Sequence, residues 1–131
     1  MKTPMVCALA VLILTWCAGI ISAQTRERLR FARGTTQASV KGVVRGFAYH
    51  DYVVHAGAGQ KIDTNLSGGP LSPVFTILLP GGANLEGAAE MNDFEGSLPK
   101  SGDYTIRVLM MRSAARRMNS VSNFTLRVSI K

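Results

Sequence analysis

The chain has few cysteines, tryptophans and histidines, and each shortage excludes a class of protein. Its 131 residues include two cysteines and one tryptophan, and all three lie in the first 17 positions, at Cys7, Trp16 and Cys17. Residues beyond that stretch therefore cannot form a disulfide or a cysteine-ligated zinc site. The two histidines, His50 and His55, are an odd number of residues apart, so a strand would direct them to opposite faces. The sequence predicts no metal site and no cofactor.

Acidic residues are also scarce, because 8 Asp and Glu stand against 15 Lys and Arg, a formal net charge of +7. This surplus favours an anionic partner: an acidic protein cleft, nucleic acid, lipopolysaccharide or peptidoglycan. No Gly-x-Ser-x-Gly element is present that could position a nucleophilic serine. Four carboxylates cluster on predicted turns and weak strands, where solvated charge explains them better than a pair facing across a cleft. We therefore expect a binding protein and not an enzyme.

The first 23 residues match a secretory signal peptide. Lys2 supplies a positive start, Val6 to Ile21 is apolar, and Ser22 and Ala23 are small residues suited to cleavage before Gln24. An apolar run of about 16 residues is short for a bilayer span. We expect cleavage after Ala23 and no lasting membrane anchor.

Cleavage there would leave residues 24–131, which form a single predicted domain. Lys2 is the only charge lost, so the remainder has 14 basic and 8 acidic residues, a net charge of +6. Both cysteines are lost with the leader. An exported domain without disulfides must be held together by its core, and it is more typical of a bacterial envelope than of an animal secretion. The sequence therefore predicts a periplasmic protein.

Short segments that alternate apolar and polar residues, separated by Gly and Pro turns, predict an all-β fold: a single antiparallel β-sandwich of about eight short strands. Residues 112–118 have the composition for one or two helical turns, an alternative that the sequence leaves open. The predicted strands are 28–32, 38–44, 47–56, 61–66, 74–79, 86–91, 94–98, 104–111 and 123–130.

Three arginines fall within six positions directly after the predicted strand 104–111. Arg112, Arg116 and Arg117 are separated only by Ser113, Ala114 and Ala115. A solvated loop that keeps the protein soluble is one explanation. However, solubility does not distinguish Lys from Arg, whereas planar pairing with a carboxylate or phosphate favours Arg. The segment therefore indicates an anion-binding loop at the end of a strand.

In this segment and in several others the chain resembles the periplasmic inhibitors of goose-type lysozyme from Gram-negative bacteria. The resemblance is carried by Ser101–Val108, Met111–Arg117 and Asn123–Leu126, and it departs from the family at Leu109 and Met110, where an aromatic residue is favoured. Supporting matches cover Phe31–Gly34, Val40–Gly42, Asp51–Val54 and Ala58–Gln60.

The resemblance implies a β-sandwich whose loops enter the substrate cleft of a goose-type lysozyme and block it. The positions that would contact the lysozyme are Arg112, Ser113, Arg116 and Arg117, with Tyr49, Asp51 and Tyr52 beside them. A Ser-Gly-x-x-Tyr element of other lysozyme-inhibitor families adds Ser101 and Tyr104 as secondary candidates. Nucleic acid and small-molecule substrates are not expected as partners.

A second hypothesis is a non-catalytic module that binds envelope polysaccharide or lipopolysaccharide through its positive charge. Glycan-binding sandwiches usually offer flat, exposed aromatic side chains. Residues 24–131 contain no tryptophan, and several of their tyrosines and phenylalanines occupy predicted core positions. This shortage makes the polysaccharide module the weaker hypothesis.

Overall fold

The computed structural model describes residues 25–31, 33–69, 71 and 73–131. The predicted signal peptide and its cleavage site lie outside these residues. The elements in chain order are β1 (Thr25–Arg28), β2 (Gln37–Arg45), β3 (Tyr49–Ala56), β4 (Lys61–Gly68), β5 (Val74–Leu78), β6 (Asp93–Ser97), β7 (Gly102–Leu109), α1 (Arg112–Ala115) and β8 (Val121–Ile130).

The eight strands form two four-stranded sheets packed face to face. One sheet has the strand order β1-β3-β7-β5 and the other has the order β2-β8-β4-β6. Every pairing between these strands is antiparallel except that of β1 with β3, which is parallel. The predicted β-sandwich is confirmed, with this one parallel pair as an exception to its antiparallel character.

The core consists of the inward-facing residues of both sheets, as strand alternation requires. Along β8, for example, Phe124, Leu126, Val128 and Ile130 are buried, whereas Asn123 and Arg127 are exposed. Strand β7 lies between β3 and β5, so its inward residues Tyr104, Ile106 and Val108 have no exposed surface. This packing holds β7 in place, and with it the segments that precede and follow the strand.

Two predicted strands differ from the structure. The first strand lies at Thr25–Arg28 instead of 28–32, and all four of its residues are exposed, so it carries no alternating pattern. The segment 86–91 is not a strand but a turn-rich segment that contacts the edge of β5 through the isolated bridge of Met91 with Phe75. Gly87 and Glu90 both have positive φ there, at 79° and 53°, which interrupts an extended chain.

The register of β3 against β7 defines the two ends of the sandwich. Tyr49 pairs with Leu109 at one end, and Ala56 pairs with Gly102 at the other. The first end carries residues 45–49 and 110–121 and is called the arginine end below. The opposite end carries the turn at residues 57–60 and the last residues of β8.

Candidate functional site

The segment after β7 folds into one helical turn, α1, as the composition of residues 112–118 allowed. The amides of Ala114 and Ala115 donate to the Met111 carbonyl, and the Arg116 amide donates to the Arg112 carbonyl. Alanine favours this local structure because it loses no side-chain entropy in a helix. Asn119 then takes a positive φ of 53°, which turns the chain into β8. The arginine-bearing connection is therefore a compact, hydrogen-bonded turn.

The helical turn separates its side chains into an inner and an outer set. Ala115 is buried and Ala114 is partly buried against the core, and the Ser120 hydroxyl donates to the Ala115 carbonyl at 3.2 Å. Positions four apart lie on one side of a helix. The outer side accordingly carries Arg112, Ser113, Arg116 and Arg117, all of which are exposed.

None of the three guanidinium groups on this turn pairs with a carboxylate of the described residues, whose ion pairs involve Arg28, His50, His55 and Arg107 instead. The reason is partly local composition, because no acidic residue occurs between positions 104 and 131. The exposed arginines keep their full capacity for bidentate pairing with an external anion.

Tyr49 lies beside this turn, because it pairs with Leu109 at the end of β7. The guanidinium of Arg107 lies over its ring, 4.0 Å from the centroid. Arg107 also donates to both carboxylate oxygens of Asp51, at 2.8 and 3.0 Å, and this hydrogen bonding raises the pKa of Arg107. Asp51 is only 5% exposed. Its carboxylate is therefore committed to holding Arg107 and Tyr49 in place, and these two partly exposed side chains offer surface to a partner.

Arg107 is the residue of this cluster that the sequence did not indicate. It follows the alternation of β7 as an ordinary outward position, and its partner Asp51 is 56 residues away in the chain. Only the pairing of β3 with β7 brings the two together, so no local pattern could have identified the ion pair.

Tyr52 cannot contact a partner directly, which corrects its place among the predicted site residues. Its side chain has no exposed surface, and burial raises the pKa of its hydroxyl. The ring stacks on His50 at 4.4 Å and meets Phe124 edge-on at 6.1 Å. Gly42 permits this packing, because a Cβ there would lie 2.6 Å from the Phe124 ring. Tyr52 belongs to the core.

Ser101 and Tyr104 lie at the opposite end of the sandwich from the arginine turn. Tyr104 has no exposed surface, and its hydroxyl donates to the Lys100 carbonyl at 2.6 Å. Ser101 accepts a hydrogen bond from the Ala58 amide at 2.8 Å. Seven residue steps along β7 separate its two ends, roughly 23 Å at the usual rise. Tyr104 is therefore a core residue, Ser101 remains exposed, and the structure does not bring the Ser-Gly-x-x-Tyr element into one site with the arginines.

The described part of the chain contains no group of three His, Cys, Asp or Glu side chains arranged to hold a metal ion. His50 faces the core and His55 the outer surface, where its ring lies 3.2 Å from Asp103, as their odd spacing predicts. None of the described helices has the length and apolar character that a bilayer crossing requires.

The chain resembles known proteins in both sequence and fold. No family model matches the chain. The crystal structure of a periplasmic inhibitor of g-type lysozyme from Aeromonas hydrophila, named PliG, has 32% sequence identity and a TM-score of 0.71. The match covers 82% of this chain and 97% of that one. The chain belongs to the PliG family. Its resemblance to periplasmic inhibitors of goose-type lysozyme is thereby confirmed.

Other PliG proteins match over similar lengths. The inhibitor of g-type lysozyme from Escherichia coli K12 is 29% identical over 126 residues, which cover 93% of this chain and 94% of that protein. The PliG structure from Salmonella Typhimurium has 26% identity and a TM-score of 0.67, covering 82% of this chain and 98% of that one. The β-sandwich described above is therefore the PliG fold.

Proposed function

We propose that this protein is exported to the periplasm, has no catalytic activity, and inhibits a goose-type lysozyme by inserting the outer side of α1 into the substrate cleft. The residues proposed to contact the lysozyme are Arg112, Ser113, Arg116, Arg117 and Tyr49. The observation that carries the proposal is the set of exposed guanidiniums without internal partners, on a protein whose relatives are named periplasmic inhibitors of g-type lysozyme.

The chemistry of a lysozyme cleft suits such a group. A glycoside hydrolase acts through carboxyl groups that flank the scissile bond, one of them a general acid. A guanidinium placed there can pair with a carboxylate through two parallel hydrogen bonds and exclude the glycan. Inhibition then requires no reaction by the inhibitor itself.

The scaffold supports this use because α1 is fixed before binding. Its carbonyl and amide groups are hydrogen-bonded within residues 111–120, and Ala115 is packed into the core. A turn that is already ordered loses little conformational entropy on binding, which preserves affinity.

The test is a pair of double variants. Arg116→Ala with Arg117→Ala should weaken inhibition of goose egg-white lysozyme at least about a hundredfold, because two anchoring arginines are lost. Arg30→Ala with Arg33→Ala removes the same two charges from exposed positions after β1, away from the arginine end. This control should leave the inhibition constant within about twofold.

Both double variants should keep the thermal midpoint of the wild type, since all four side chains are exposed. Equal inhibition by both double variants would contradict the proposed role of the turn.

A polysaccharide-binding function has one observation in its favour. An open groove of about 860 Å³ lies on the outer face of the β2-β8-β4-β6 sheet, lined in part by Asp63, Asn65 and Arg127. None of the described residues that line it is an aromatic on which a sugar could stack. A co-sedimentation assay with purified peptidoglycan distinguishes the alternatives, because the inhibitor should remain in solution at physiological salt.

A further inference from the structure

Large apolar side chains are exposed at few places in the described residues, and most of these places are at the arginine end. The exposed set is Val43, Phe47, Met91, Met111, Met118 and Val121. Phe47 and the last three of these lie within residues 45–49 and 110–121. Phe47 is 67% exposed and Met118 is 91% exposed, the two highest values in the set. Exposed apolar side chains gathered at one place on a soluble protein mark an interaction surface.

The two segments that carry Phe47 and Met118 are joined to each other. The Gly46 amide donates to the Ser120 carbonyl at 2.9 Å, and Arg45 pairs with Val121 in the sheet. Gly46 has a positive φ of 53°, and the Ala48 amide closes the β2–β3 turn on the Arg45 carbonyl at 3.0 Å. Phe47 is therefore at the tip of a tight turn. Met118 lies two residues before Ser120, whose carbonyl accepts the hydrogen bond from that turn.

The fold does not require these two side chains. The core beneath them is already closed by Val44, Met110 and Ala115, which are 2%, 3% and 5% exposed. Phe47 and Met118 thus contribute little to the free energy of unfolding. They leave apolar surface in contact with water, which is unfavourable, and a partner that covered this surface would gain binding free energy.

Exposed arginines accompany the two apolar residues, and the two segments that carry them contain no acidic residue. Arg45, Arg112, Arg116 and Arg117 are exposed. No acidic residue occurs between positions 28 and 50 or between 104 and 131, the two stretches that build this end. The complementary surface would be an apolar hollow with carboxylates around it.

We infer that Phe47 and Met118 are the apolar anchors of the lysozyme interface, filling a hollow on the rim of the substrate cleft while Arg112, Arg116 and Arg117 pair with carboxylates inside it. This inference rests on the proposed function and deepens it, by adding a contact on the β2–β3 turn that the arginine motif does not contain. A few well-packed side chains usually carry most of the binding energy of an interface, with charged residues around them. The preformed turns favour a protein surface of fixed shape over a lipid surface.

The experiment compares five variants for binding to goose egg-white lysozyme by calorimetry. Phe47→Ala and Met118→Ala should each weaken binding about tenfold, and the double variant about fiftyfold. Val43→Ala and Met91→Ala are matched controls, because each truncates a partly exposed apolar residue outside the two joined segments, and both should bind within about twofold of the wild type. All five variants should keep the thermal midpoint of the wild type.

Three outcomes would overturn the inference. If the Phe47→Ala, Met118→Ala double variant binds like the wild type while Arg116→Ala with Arg117→Ala does not, the apolar anchors are refuted and the proposed function stands. If the wild type does not bind the lysozyme, the proposed function fails and this inference fails with it. Binding to vesicles containing about 30% phosphatidylglycerol is measured as well. If the apolar double variant binds the lysozyme like the wild type but binds these vesicles less well than the wild type, the patch is a lipid-docking surface instead.

Discussion

At the scale of single residues, Asp51 illustrates how a buried side chain can position a more exposed one. Its carboxylate is nearly buried, accepts two hydrogen bonds from Arg107, and through that guanidinium fixes the ring of Tyr49 beside α1. Removing one member of a buried ion pair costs more than the pair itself contributes, because the other charge is left without a partner.

We therefore expect Arg107→Met to lower the free energy of unfolding by about 2 kcal/mol, a value reduced from that of a fully buried pair because Arg107 is partly exposed. Asp51→Asn in the same protein should recover part of this loss, giving a coupling energy of about 1 kcal/mol in a double-mutant cycle. Urea denaturation measures both quantities. Arg127→Met, an exposed arginine on the other sheet, should change stability by less than about 0.5 kcal/mol. Additive effects of the two substitutions would refute the coupling.

At the scale of elements, β1 is the least embedded strand of the sandwich. All four of its residues are exposed, and it pairs only with β3. Arg28 adds a link to β7 by donating to both oxygens of Asp103, at 3.3 and 2.9 Å. Hydrogen bonds from Arg28 and then from His55 lower the pKa of the Asp103 carboxyl.

A lowered carboxyl pKa gives a defined dependence of stability on pH. The stabilising contribution is present above the ordinary pKa of aspartate, about 3.9, and is lost as the pH falls through the lower value of the folded state. Asp103→Asn should therefore lower the thermal midpoint slightly at about pH 7, and the difference from the wild type should vanish at about pH 2. A difference of the same size at both pH values would show that the charge is not responsible. Differential scanning fluorimetry is sufficient for this comparison.

The elements also show what the sequence could and could not predict. Strands such as β8, which alternate strictly and end at turns, were predicted within a few residues. β1 was misplaced because its four exposed residues give no alternation, and the segment at 86–91 was predicted as a strand because nothing in its composition reveals the positive φ of Glu90. The arginine turn was identifiable from residue type. Tyr49 and Asp51 were named only through the family resemblance, and Arg107 was not named at all, because these three residues meet only through the long-range pairing of β3 with β7.

At the scale of the whole molecule, positive and negative charges are separated. Four of the eight acidic residues lie between positions 86 and 95, beside β5 and in β6, whereas the two stretches that build the arginine end contain none. Exposed charges interact over about 10 Å at 0.1 M salt, so the arginine end presents its own field to an approaching partner.

We therefore expect binding to goose egg-white lysozyme to weaken as the ionic strength rises. This dependence should come from the arginine end alone. Raising sodium chloride from about 50 to about 300 mM should raise the dissociation constant of the wild type about tenfold. Arg116→Ala with Arg117→Ala should bind weakly with a dependence of about threefold or less, and Arg30→Ala with Arg33→Ala should retain the full dependence. Titration calorimetry at the two salt concentrations provides the measurement. Equal salt dependence in both double variants would contradict a localised electrostatic contribution.

The position of Lys131 has a practical consequence for any experiment that immobilises the protein. Its amide and carbonyl both bond to Lys61, at 3.0 Å, beyond the last residue of β8. The ten residues of β8 span roughly 33 Å, so this point is about the length of the domain away from α1. An affinity handle attached after Lys131 would orient every copy on a sensor with the arginine end towards the solution. A handle attached ahead of Thr25, which pairs with His50, would instead lie next to the arginine end.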